Sequence, residues 1–88
     1  MQPPEQGVCM LEKRVQELLG VELSGDALLV YIIEERVDVL VCWRSRRGRR
    51  FEASVGVPGG VSGLHSWKTR EASSLRAAVY GALVDALG

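Results

Sequence analysis

Apolar positions near the start of the chain follow a helical period. Leu11, Val15, Leu18 and Leu19 are spaced 4, 3 and 1 apart and form one stripe, while Glu12, Lys13, Gln16 and Glu17 take the other face. This predicts an amphipathic helix that begins at Val8 and stops at Gly20. Residues 1–7 hold Pro3, Pro4 and Gly7 and show no apolar period, so they read as a flexible lead-in to a single domain over 8–88.

The period then changes. After a turn at Ser24-Gly25-Asp26, Leu28 to Glu34 is β-branched, aromatic and apolar on both faces, which predicts an interior strand. Val37 to Arg44 alternates, with Val37, Val39, Val41 and Trp43 assigned to the core side and Asp38, Leu40, Cys42 and Arg44 to the other. Ser45 to Arg49, with Gly48 to permit a left-handed backbone, reads as a hairpin loop. In Arg50 to Val57 the core side falls to Phe51, Ala53, Val55 and Val57, and Arg50, Glu52, Ser54 and Gly56 face outward. Pro58-Gly59-Gly60 reads as a turn and Val61 to Trp67 as a weaker fourth strand.

Thr69 is placed as the N-cap of a closing helix whose buried stripe is Ala72, Leu75, Val79, Ala82, Leu83 and Ala86. The expected fold is α+β, an antiparallel three- to four-stranded sheet with an N-terminal and a C-terminal helix on one face. Tyr31 is assigned to the core and Tyr80 to its edge. Trp43 and Trp67 alternate in phase with Val41 and Val61, so they are expected under a helix rather than stacked on bases.

Composition narrows the function classes. The chain is 88 residues, 47% hydrophobic, with 11 basic and 11 acidic residues, so net charge alone announces no polyanion partner. The distribution is uneven: residues 1–38 carry a net −5 and residues 39–88 a net +5, an asymmetry that can mark an interaction surface or hold one domain's halves together. Cys9 and Cys42 read as free thiols in a reducing, cytoplasmic compartment. With the single His65 they do not complete a tetrahedral metal site. The longest apolar run, Ala27 to Ile33, is seven residues, against the roughly 20 that span a bilayer. The acids fall on helix surfaces and in turns, so no enzyme chemistry, metal or cofactor is expected.

The densest chemistry is the knot Arg44, Arg46, Arg47, Arg49 and Arg50, five arginines within seven positions. Guanidinium forks bridge phosphate oxygens and read guanine, which points to nucleic acid. A charged hairpin tip that keeps the sheet soluble and its edge unpaired is the plainer account.

Arg50-Phe51-Glu52-Ala53-Ser54-Val55, then Gly59-Gly60, then Leu64-His65-Ser66-Trp67-Lys68-Thr69-Arg70-Glu71-Ala72 resembles the three-strand, one-helix DNA-binding domain of ethylene-response factors and of phage and transposon integrase arms. That resemblance implies a sheet laid in the major groove, with Arg44, Arg46, Arg50 and Lys68 meeting bases and phosphates. Glu52 and Ser54 replace positions that often carry contacts in that family, and the second hairpin is about two residues short.

Phe51 to Gly63 followed by Thr69-Arg70-Glu71-Ala72 is also similar to the HicB-type antitoxin domain, which implies a protein partner instead. The helix–strands–helix order shares features with the double-stranded RNA-binding domain, whose paired lysines are approached only by Lys68 and Arg70.

Two functions are therefore expected to compete. One is a small nucleic-acid-binding domain, for duplex DNA, using Arg44, Arg46, Arg47, Arg49, Arg50 and Lys68. The other is a protein-interaction module, antitoxin-like or homodimeric, without nucleic acid; neither uses a membrane. Pairing of the arginines with the chain's own carboxylates favours the second.

Overall fold

A computed structural model describes residues 4–46, 48–59 and 64–88. The element order is α1 (Pro4–Leu19), α2 (Gly25–Glu35), β1 (Val39–Arg44), β2 (Phe51–Gly59), β3 (Leu64–Ala72) and α3 (Leu75–Leu87). The strands form one antiparallel meander in the order β1-β2-β3. The fold is α+β, as the sequence indicates, but the elements differ from the expectation at several places.

The first helix reaches back to Pro4, so residues 4–7 are helical rather than a lead-in. Proline is tolerated at the first helical position because the amide it lacks has no intrahelical partner there.

Leu28 to Glu34 is not a strand; it forms most of α2. An uninterrupted apolar run satisfies a helix or a buried strand equally well. Here the helix buries Leu28 and Ile32, four residues apart, and leaves Val30 and Ile33 about half exposed. Asp26 in its first turn suits the positive end of the helix dipole.

Strand β3 runs past Trp67, where the weak fourth strand expected from the sequence ends, to Ala72, and Thr69 lies inside it; residues 61–63 of that expected strand lie outside the described residues. Thr69 Oγ1 meets Ser54 Oγ at 2.6 Å across the β2–β3 pair. The helix starts instead after Ser74, whose hydroxyl accepts a hydrogen bond from the Ala77 N–H at 3.2 Å. Pro58 and Gly59 belong to β2, beyond the end of β1, where the missing proline amide disrupts no β1 ladder. Gly60 lies outside the described residues.

Helix α3 is the centre of the molecule. Six successive residues, Ala78 to Leu83, are buried, because β2 and β3 cover one side of the helix and α1 another. Val15 and Leu19 of α1, Leu28 and Ile32 of α2, Val37 between α2 and β1, and Ala53 and Val55 of β2 complete the core. Small residues allow this close approach: a Cβ on Gly81 would come within 2.8 Å of Arg70 Cγ. Tyr80 is fully buried, not at the core edge. Both terminal helices lie on one side, and the other face of the sheet is left open.

Register decides which residues occupy that open face. Leu40 pairs with Val55, Cys42 with Ala53 and Arg44 with Phe51, so the even-numbered residues of β1 join the helix-bearing face. Val39, Val41 and Trp43 therefore point outward, the reverse of the expected phase. The hydrophobic pattern of β1 is apolar on both sides and does not set its own phase. The β1–β2 hairpin does, closing with Ser45 N–H donated to the Arg50 carbonyl at 2.9 Å and Gly48 at φ +73°.

Candidate interaction surface

Of the six basic residues singled out in the sequence, the five that are described do not converge. Arg50 Nε donates to Glu71 Oε1 at 2.6 Å. The Ser45 hydroxyl, on a buried residue, reaches the other carboxylate oxygen at 3.5 Å. Arg50's hydrogen bond, with a further one shared with the neighbouring Glu52 carboxyl, holds Glu71 below the usual carboxylate range.

Arg44 is on the helix-bearing face, its guanidinium carbon 5.7 Å from the centre of the Phe51 ring. This corrects its expected place on the open face. Lys68 pairs in register with buried Val55 and so also belongs to the helix-bearing face, well along β3 from the hairpin. Arg46 and Arg49 are exposed at the tip, and neither forms a salt bridge among the described residues. Arg47 lies outside the described residues, as does the His65 side chain.

The open face is more apolar than the sequence reading allowed. Trp67 is 51%, Val41 45% and Trp43 39% exposed, and no helix among the described residues covers them. The Trp67 ring lies on Gly56, where an added Cβ would sit 3.1 Å from ring carbons. Glu52, Ser54, Thr69 and Glu71 share this face by register. Trp43 and Trp67 were expected in the core; the sum of paired positions across each hairpin places them outside it.

Strand β1 is open along its second edge as well. Among the described residues it pairs with β2 alone, and Val41 through Arg44 are all exposed. Because the Ser45 N–H points to β2, strand alternation turns the N–H and C=O of Leu40, Cys42 and Arg44 toward the free edge. Beneath this edge, on the helix-bearing side, an apolar cleft of about 240 Å³ runs between Leu29 and Ile33 of α2, Leu40 and Cys42 of β1, and Leu75 and Val79 of α3. Partial burial pushes the Cys42 thiol pKa upward, which favours the protonated, unreactive form.

Among the described residues, no three His, Cys, Asp or Glu side chains group to hold a metal ion, and no helix is long and apolar enough to cross a membrane. No protein-family model, curated protein or solved structure matches the chain.

Proposed function

We propose that this chain is a protein-interaction module that takes a partner protein's strand onto the free edge of β1. The observation that carries this reading is the exposure of β1 along that edge, with Val41 and Trp43 on one side of it and the Cys42 cleft on the other. Strand addition supplies main-chain hydrogen bonds from Leu40, Cys42 and Arg44, and the apolar residues beside the edge add area and selectivity. The zero net charge and the neutralisation of Arg50 by Glu71 fit this reading better than a polyanion surface. In this role the chain performs no catalysis, takes no cofactor, and works in the cytoplasm, where exposed Cys9 and Cys42 stay reduced.

Nucleic-acid binding is the second reading. It is favoured by Arg46 beside Trp43 in a cleft of about 320 Å³, with Arg49 exposed at the same tip. Passage over duplex DNA across a salt gradient separates the two. A protein-interaction module elutes below physiological salt, and Arg46→Ala with Arg49→Ala leaves its elution unchanged. Retention that those substitutions abolish, with a log–log salt slope of about −0.9 per phosphate, overturns the first reading in favour of the second.

A further inference from the structure

Resting on the reading that β1 receives a protein strand, we infer that the strand is β1 of a second copy, joined antiparallel across a two-fold axis into a continuous six-stranded sheet.

The two sheet edges differ in a way that selects β1. Strand β3 carries Lys68, Arg70 and Glu71, charges of the kind that blunt an edge. Strand β1 is Val-Leu-Val-Cys-Trp-Arg, with neither lysine nor proline. Left bare, such an edge is a template for uncontrolled pairing, so a defined occupant protects the folded chain.

Charge identifies the occupant. The segment leading into β1 carries Glu34, Glu35 and Asp38 against Arg36 alone, and the strand runs out into Arg44, Arg46 and Arg49. The edge is therefore acidic where it starts and basic where it ends. An antiparallel second copy sets each basic end beside an acidic one, whereas a parallel copy sets like against like.

The register follows from the pleat. Paired residues must lie on the same face, so the axis passes through a residue and not between two. Centred on Val41, the pairing runs from Val39 to Trp43. Trp43 of one copy meets Val39 of the other on the open face, and Leu40 meets Cys42 on the helix-bearing face. The two apolar clefts, each lined by Leu40 and Cys42, then adjoin across the axis.

The substitution Cys42→Pro removes an amide that points away from β2, so it blocks the new pairing without removing a β1–β2 hydrogen bond. Sedimentation of the wild-type chain at micromolar concentration is expected to give twice the 9.6 kDa chain mass, and Cys42→Pro to give the single mass. A Val41→Cys chain with Cys9→Ser and Cys42→Ser is expected to oxidise to a disulfide-linked dimer through the axis. In the wild-type chain, hydrogen exchange at Leu40, Cys42 and Arg44 is expected to slow as concentration rises.

A monomer at all concentrations with freely exchanging edge amides overturns the self-pairing and leaves strand addition by another protein intact. A dimer unaffected by Cys42→Pro overturns the β1 interface. Arginine-dependent retention on DNA overturns the underlying reading itself.

Discussion

The Tyr80 hydroxyl donates a hydrogen bond to Glu12 Oε2 at 3.0 Å, joining α3 to α1 across 68 positions of sequence. Burial, then the Glu12 carboxylate, raises the Tyr80 pKa from 10.0 to about 12. In the unfolded chain the phenol ionises near its ordinary value, so this contribution is complete below pH 10 and is lost as pH rises toward 12. Melting temperature is expected to fall over that window in the wild-type chain and to fall less in Tyr80→Phe. At neutral pH, Tyr80→Phe is expected to cost about 1 kcal/mol for the lost hydrogen bond, measured by urea denaturation.

Gly81 sits mid-helix, where alanine would ordinarily stabilise by up to about 1 kcal/mol. Here the added methyl meets Arg70 Cγ at 2.8 Å, and Arg70 is held in place by a two-pronged contact with Asp85 at 3.0 and 2.8 Å. Overpacking is expected to reverse the sign, with Gly81→Ala destabilising by about 1–3 kcal/mol. Once Arg70→Ala has removed the obstruction, Gly81→Ala should become stabilising. A double-mutant cycle reads this directly, since additivity of the two changes would exclude the clash.

Glu71 owes its lowered pKa first to Arg50. Removing the guanidinium with Arg50→Gln is expected to raise the Glu71 pKa toward 4.5, the ordinary value, observable by carboxyl-detected NMR titration. The linked stability is present above that ordinary value and is lost as pH falls through the depressed one. Wild type and Arg50→Gln should therefore converge in melting temperature under acid.

Trp43 and Trp67 make different contributions to the same open face. More than a third of Trp43 is exposed, so Trp43→Lys is expected to change unfolding free energy by no more than about 0.5 kcal/mol. It is also expected to weaken association through β1. Trp67→Ala uncovers Gly56 and removes a cross-strand pair, at a cost of about 0.5–1 kcal/mol. Tryptophan fluorescence quenching on each single-tryptophan chain checks that both indoles meet solvent in the monomer.

The α+β class was legible because the stripes of α1 and α3 and the alternation of β2 each fit one period. Phe51, Ala53, Val55 and Val57 could only be the inward set of β2, since Glu52 and Ser54 are polar. Leu28 to Ile33 and Val39 to Trp43 have no polar residue to break the tie, so element type in the first and facing in the second depended on tertiary packing and hairpin length. Thr69 reads locally as a cap, but Ser74 competes for the same role and wins because β3 extends to Ala72. The crowding of arginines was visible in the sequence. The capture of Arg50 by Glu71, 21 positions later, required the β2–β3 register, which is set across a stretch of sequence rich in glycine.

Helix α3, with Ala78 through Leu83 enclosed, is the last of the described elements to leave the ribosome. Without it, α1 and the sheet have no shared interior to close upon. Closure of this core therefore waits on α3, and a chain that lacks α3 is the species most exposed to misassembly.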